Sequence, residues 1–270
     1  MPPPPPRRTA LVTGASAGLG AAFARVFAAN GFDLVLTARR EDRLRALADE
    51  LATRHQVTAR VVTADLADPE APGRLMDSLA SDDVAIDALV NNAGYGLPGK
   101  YVNTTWEEQA RFLQIMVTAC AELVHRLLPG MVARKYGRII NVSSVAGLVP
   151  GTPGHTLYAA SKAFLIRFSQ SLALENARGG VHVTAVCPGF THTEFHDANG
   201  TRDMMSRNIP AYMWLDADDV ARHGFDAVMA GRPMAVKGAV YKAVVLLARY
   251  LPESVMFRWT LSQSRKFRQP

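Results

Sequence analysis

Six short runs of apolar and β-branched residues recur along this chain, with longer helical patterns between most of them. They are TALVTG (9–14), DLVLTA (33–38), ARVVTAD (59–65), DALVNN (87–92), RIINVSS (138–144) and VHVTAVCPG (181–189). Each is bounded by turn-forming residues and reads as a strand. Between them lie amphipathic stretches such as EDRLRALADELATR (41–54) and the long run from Trp106 to Lys135. Near-continuous apolar strands alternating with helices can hide both faces only as a parallel sheet covered on each side. No repeat, linker or change of composition interrupts residues 9–250. The expectation is therefore one doubly wound α/β domain, three layers deep, over residues 9–250.

The ends read differently. Residues 1–8, MPPPPPRR, carry prolines that favour an extended polyproline tail with no core to join, and no apolar stretch of the secretory kind. Residues 251–270 read as a basic amphipathic extension ending in Arg265, Lys266 and Arg268. Residues 195–215 are rich in Met and aromatics yet broken by Asn, Gly and Pro, which suits a substrate loop and equally a loosely packed surface segment. At 270 residues, 49% hydrophobic and 20% charged, the chain is long enough to bury a sizeable core. Two cysteines, Cys120 and Cys187, are too few for a disulfide framework and point to a reducing compartment, the cytoplasm. No run of 18 or more apolar residues suggests a membrane span. The +6 formal charge is scattered, without the basic and aromatic interleaving of a nucleic-acid surface, so no nucleic-acid partner is expected.

Chemistry enters at the end of the first expected strand, where TGASAGLG (13–20) leads into an apolar helix. Gly14, Gly18 and Gly20 permit a tight turn and close backbone approach to a pyrophosphate, and the helix N-terminus offers N–H groups and partial positive charge. The spacing is G-x-x-x-G-x-G. The second strand ends in TARRED, with Arg39 and Arg40 where an NAD site would place an acid for the ribose 2′-hydroxyl. Two arginines suit a 2′-phosphate instead, so NADP(H) is the expected cofactor. A solvated helix start would also accommodate them, although the helix dipole disfavours cations there.

The stretch YAASK sets Tyr158 and Lys162 four residues apart, on one face if the segment is helical. A fixed positive charge beside a phenol, which titrates near ~10 in water, favours the phenolate and makes it a usable proton donor and acceptor. On these five residues alone, an accidental pair on a solvated helix reads equally well.

Taken in order, TGASAGLG (13–20), ADL (64–66), NNAG (91–94), NVSS (141–144), YAASK (158–162) and PGFTHT (188–193) resemble the short-chain dehydrogenase/reductase family over residues 9 to about 235. The resemblance implies a Rossmann-type fold and hydride transfer between NADP(H) and a carbonyl compound or the matching alcohol. It implies cofactor contacts from Gly14, Ser16, Ala17, Gly18, Leu19 and Gly20, with Asp65 and Leu66 flanking the adenine and Asn92, Ala93 and Gly94 supporting the cofactor and the middle of the sheet. Ser144 would hydrogen-bond the substrate oxygen and Tyr158 would exchange the proton. Lys162 would hold the nicotinamide ribose and lower the tyrosine's pKa. Pro188, Gly189, Thr191 and Thr193 would close over the nicotinamide and pyrophosphate. A homodimer or homotetramer is also implied.

The chain departs from the family's pattern at Met116, where an asparagine is usual, which puts in doubt the water chain that recharges Lys162. The run from Ser144 to Tyr158 is also one residue longer than usual. HTEFH (192–196) is not a zinc motif, because Glu194 does not directly follow the first histidine and no third ligand is evident, so no metal is expected. Met204, Met205, Ile209, Tyr212, Met213 and Trp214 would form an adaptable apolar cover for a hydrophobic ketone or aldehyde. Two other readings remain open. Met116 motivates a cofactor-binding sensor or partner subunit without efficient turnover, and the apolar, basic C-terminal stretch motivates a peripheral membrane or interaction protein.

Overall fold

The computed structural model describes residues 7–151, 153–154, 156–195, 206–207, 209–252, 254–255, 257–258 and 262. Its centre is a seven-stranded parallel sheet in the order β3-β2-β1-β4-β5-β6-β7. The strands are β1 (Thr9–Thr13), β2 (Asp33–Ala38), β3 (Ala59–Thr63), β4 (Ala88–Asn91), β5 (Gly137–Val142), β6 (Val181–Val186) and the two-residue β7 (Met234–Ala235). Ala10, Leu11 and Val12 pair on one side with Leu34, Val35 and Leu36 and on the other with Ala88, Leu89 and Val90. The strand order reverses beside β1, and in doubly wound sheets that switch point opens a ligand crevice at the strands' C-terminal ends.

Alternate residues of each strand feed two different cores. Ala10, Val12, Leu34, Leu36, Val90 and Ile140 join the cluster under helices α1 (Gly18–Ala29), α2 (Glu41–His55) and α7 (Ala217–Met229). Their neighbours Leu11, Val35, Leu89 and Ile139 join the opposite cluster, under α3 (Ala71–Ser81), α5 (Ala119–Ala133) and α6 (Thr156–Glu175). The period-2 geometry of a strand makes this division. Phe23 and Phe27 of α1 are fully enclosed, and Phe27 meets Phe32 and Phe225 edge-on at centroid distances of 5.1 and 5.0 Å. Each such side chain contributes roughly 1.5–3 kcal/mol by leaving water.

The middle of the sheet also carries a buried polar chain. Asn91 donates to Asn141 Oδ1 at 2.9 Å and to the Cys120 carbonyl at 3.1 Å, and Asn141 donates to Ser169 Oγ at 2.9 Å. These bonds tie β4, β5, α5 and α6 together just below the crevice.

Several sequence-based boundaries shift. β5 and β6 end earlier than 144 and 189, because the Ser143–Ser144 and Pro188–Gly189 segments turn out of the sheet. The helical run from Trp106 is divided into α4 (Trp106–Leu113), a π turn (Gln114–Thr118) and α5, with the Ala119 N–H reaching back five residues to the Gln114 carbonyl. By length and composition, Trp106–Ala133 is apolar enough to cross a membrane, contrary to expectation, yet Phe112, Met116, Leu123 and Met131 spend that apolar character inside the fold. Arg7 and Arg8, expected in the tail, are fastened to the domain: Arg7 bonds the Gln56 carbonyl and faces Asp33, and Arg8 lies 3.6 Å from the Tyr136 ring centroid. Residues 1–6 lie outside the described residues. α8 (Ala239–Tyr250) closes the fold.

Candidate active site

The turn between β1 and α1 is shaped by β4. Thr13 Oγ1 donates to the Val90 carbonyl at 3.1 Å and accepts from the Asn92 and Ala93 amides at 2.9 and 3.0 Å. The Asn92 side chain donates to the Thr13 and Gly14 carbonyls at 3.0 and 3.3 Å. Gly14 and Gly18 hold φ of +66° and +53°, which side-chain-bearing residues rarely adopt. A Cβ on Gly20 would stand 2.2 Å from the Gly14 carbonyl oxygen, so the close turn requires glycine there. α1 begins at Gly18 after Ala17, with no side-chain cap and no acidic residue in its first turn. Its orphan N–H groups and dipole therefore suit a pyrophosphate, and the residues present fit a dinucleotide. Leu19 packs against the core under α1, and Ser16 Oγ accepts from Arg40.

Arg39 and Arg40 are both exposed at the end of β2. Arg40 donates to Ser16 Oγ at 3.2 Å and to Glu194 at 3.0 Å, while Arg43 donates to the other oxygen of Glu194 at 2.5 Å. Asp65 follows β3, where it accepts from the Ala67 amide at 3.1 Å and lies 3.4 Å from Arg111. Leu66 turns into the core below and is 5% exposed, so its side chain does not flank the crevice as expected.

Ser144, Tyr158 and Lys162 come together at the C-terminal end of β5. The Ser144 side chain hydrogen-bonds the Tyr158 phenol, and Ser144 also approaches the Pro188 carbonyl at 3.5 Å. The adjacent Ser143 donates to the Lys162 carbonyl at 2.7 Å, binding α6 to the end of β5. Lys162 is buried. Its Nζ donates to the Val142 carbonyl at 2.9 Å and lies 5.6 Å from the Tyr158 ring centroid. Burial pulls the ammonium down to about 8 and pushes the phenol up to about 12, the Ser144 hydrogen bond opposing the latter. This corrects the expectation that Lys162 lowers the tyrosine: the ammonium is directed at a backbone carbonyl, and desolvation outweighs the favourable bond.

The segment after β6 covers this group. Pro188 accepts the Val145 amide at 3.0 Å, and Thr191, buried, donates to the Gly189 carbonyl at 3.0 Å. Thr193 packs over Gly18, with the position of a Gly18 Cβ only 3.0 Å from its own Cβ. Phe195 places its ring 5.8 Å from that of Tyr158. Trp214 stacks on His192 at 4.8 Å and leans on Phe190 at 5.9 Å. Ile209 is buried and Tyr212 largely exposed, whereas Met204 and Met205 lie outside the described residues. Among the described residues no three His, Cys, Asp or Glu side chains gather as a metal site, and Glu194 of HTEFH faces arginines. Burial raises the thiols of Cys120 and Cys187 to about 11 and about 12, which removes them as ready nucleophiles.

Two participants escaped the sequence reading. Tyr241 of α8 accepts the Phe190 amide at 2.9 Å and donates to the Met213 carbonyl at 2.6 Å, joining the two segments that cover the site. Nothing near Tyr241 in the chain signals this, because its partners lie 28 and 51 residues away. Glu194 carried a local signal, an acid between histidines, whose true partners are 151 and 154 residues distant.

A glycine cradle at the switch point, set beside a Ser, Tyr and Lys group, defines a dinucleotide-dependent oxidoreductase of the Rossmann-fold class. The chain belongs to the short chain dehydrogenase family, whose profile matches residues 8–204. It is 40% identical over 187 residues to Oxidoreductase UcpA of Salmonella typhimurium, covering 69% of this chain and 70% of that protein. A short-chain dehydrogenase from Sphingobium yanoikuyae in complex with NADPH superposes with a TM-score of 0.78 at 31% identity, over 92% of this chain and 97% of the other. A bulky-bulky ketone specific alcohol dehydrogenase from Comamonas testosteroni gives 0.73 at 28% identity, over 92% and 96%.

Proposed function

We propose that this oxidoreductase is NADP(H)-dependent and acts as a carbonyl reductase or alcohol dehydrogenase on a hydrophobic ketone or aldehyde, or the corresponding alcohol. The observation that carries the reading is the Ser144–Tyr158 hydrogen bond, with buried Lys162 beside it, at the mouth of the glycine cradle. NADPH, when bound, supplies the hydride. Ser144 and Tyr158 then stabilise the negative charge that develops on the substrate oxygen, and Tyr158 delivers the proton. Lys162, held by the Val142 carbonyl, keeps positive charge near the phenol and within reach of a ribose. The backbone amides of Ala17 to Gly20 at the start of α1 receive the pyrophosphate, and Asp65, Ala93 and Gly94 line the crevice.

The preference for the 2′-phosphate rests on the arginines that follow β2, with exposed Arg39, Arg40 on Ser16, Arg43 sharing Glu194 with Arg40, and no acid at position 38. A hydrophobic substrate fits the aromatic surroundings of Tyr158, with Phe195 against its ring and Trp214 on the neighbouring strap. The catalytic unit spans residues 9–250, with 251–270 as a basic extension. Two buried, unpaired thiols suit a cytoplasmic location, and membership of the family suits a homodimer or homotetramer.

The test is a screen of NADPH oxidation with the purified protein against aliphatic, aromatic, steroid and 3-oxoacyl carbonyls, with Tyr158→Phe in parallel. Reduction by the native protein and loss of nearly all turnover in a variant that still binds NADPH are expected. Firm NADPH binding with no carbonyl reduced would favour a sensor. Retained turnover in Tyr158→Phe would remove the phenol from the mechanism.

A further inference from the structure

Glu194 and Phe195 are adjacent in sequence and reach opposite ends of the crevice. The two carboxylate oxygens of Glu194 are divided between Arg40, at 3.0 Å, and Arg43, at 2.5 Å, and Arg40 also binds Ser16 of the glycine turn. The next side chain, Phe195, lies 5.8 Å from the ring of Tyr158. The Phe195 amide is held by Thr193 Oγ1 at 3.3 Å, so the two residues are parts of one short strap. A carboxylate shared by two guanidiniums has the charge and the flat oxygen geometry with which arginines also take phosphate.

From this juxtaposition we propose that Glu194 is an internal stand-in for the cofactor's 2′-phosphate, holding Phe195 against Tyr158 until a phosphate claims Arg40 and Arg43. The inference rests on the NADP(H) reading above and adds a specificity residue and a coupling to it. Both ligands compete for the same pair of guanidiniums, so phosphate binding weakens the tie on the strap. Release of Glu194 lets Phe195 leave the phenol, which exposes the reaction centre to a carbonyl. A cofactor without the phosphate leaves the tie in place. Its binding is indifferent to Glu194, and the carbonyl then meets a partly covered tyrosine.

Calorimetric titration of the native protein, Glu194→Gln and Glu194→Ala with NADPH, NADH and adenosine 2′,5′-bisphosphate tests the competition. Removing an exposed internal competitor is expected to tighten NADPH and the bisphosphate about three- to tenfold, leaving NADH within about twofold. Steady-state kinetics tests the coupling. With NADH, the KM for the carbonyl is expected to fall in Glu194→Gln towards the value the native protein shows with NADPH. Weakened or unchanged NADPH binding in both folded variants, or equal shifts for NADPH and NADH, would overturn the competition. Tighter NADPH with an unaltered carbonyl KM would overturn the link through Phe195. If the native protein binds NADH as well as NADPH and ignores the bisphosphate, the NADP(H) reading itself fails. A native preference for NADPH that is insensitive to Glu194 sinks only the present inference.

Discussion

The ring of Tyr241 lies where a side chain on Gly189 would have to go: a Cβ there would stand 1.9 Å from the ring carbon that bears the hydroxyl. The same hydroxyl bonds the Phe190 amide and the Met213 carbonyl, so one residue of α8 braces the loop that covers Ser144 and Tyr158. Gly189→Ala is expected to cost at least roughly 1–3 kcal/mol through overpacking and to raise the KM for NADPH. Tyr241→Phe keeps the ring but leaves the amide and carbonyl unpaired, at a cost of about 1–3 kcal/mol, with cofactor affinity falling more than kcat. Thermal melting and steady-state kinetics of the two variants check this. If Gly189→Ala melts with the native protein, the ring does not define the loop.

The parallel sheet, the glycine turn and the Tyr158–Lys162 face were legible because each depends on local pattern: period-2 apolarity, positive-φ glycines, and i, i+4 spacing. Ser144 could be named only through the resemblance, since its neighbour Ser143 is chemically identical and is used to fasten α6 to β5. Tyr241, the Glu194 clamp and the short strand β7 were not legible, because each is defined by partners far along the chain. The direction of the Leu66 side chain was not legible for a related reason. Both Asp65 and Leu66 follow β3, which ends at Thr63, and the packing of that connection turns the apolar side chain inward. The raised phenol came from burial, a property of the assembled site.

Lys162 makes a prediction about pH. Its folded pKa, about 8, lies below its ordinary 10.5, so between these values the unfolded chain binds more protons and stability rises with pH. The contribution is present above about 10.5 and is lost as pH falls through about 8. At about 1.4 kcal/mol per pKa unit the change is on the order of 3 kcal/mol at most. The raised thiols of Cys120 and Cys187 work the other way from about pH 9, and the raised phenol from about pH 10, because each ionises first in the unfolded chain, so the clean window is pH 8 to 9. Lys162→Met removes the rise. Denaturant melts of both proteins across that window should show the native protein gaining on the variant as pH increases, and parallel curves would contradict the assignment.

Arg39 and Arg40 make a prediction about cofactor choice. Charge-assisted hydrogen bonds are worth on the order of 1.5–3 kcal/mol each, so removing either guanidinium should weaken NADPH about tenfold or more. NADH should change little. Arg40→Ala additionally releases one oxygen of Glu194, whereas Arg39→Ala leaves the clamp intact. Comparing the two variants by titration therefore separates loss of a phosphate contact from loss of the clamp. Adding an acid, Ala38→Asp, should move preference towards NAD(H). Equal affinity of the native protein for both cofactors would remove the basis for all three expectations.

Met116 makes the last. It stands where the family's asparagine is expected, on the π turn between α4 and α5, buried at 1% exposure. Its sulfur lies 2.6 Å from the position a Cβ would take on Gly94, so the thioether fills the space beneath the NNAG turn. An amide at position 116 would be placed among groups that support the cofactor, but it must also be buried. Met116→Asn is expected to lower stability by roughly 1–3 kcal/mol, since the shorter side chain leaves a gap and brings polar atoms that need partners. If proton supply to Lys162 limits turnover, kcat should nevertheless rise, most at high pH where protons are scarce, with NADPH affinity nearly unchanged. Thermal melting and a pH series of kcat separate the effects. A folded variant whose kcat matches the native value at every pH would show that proton supply does not limit turnover with methionine in place.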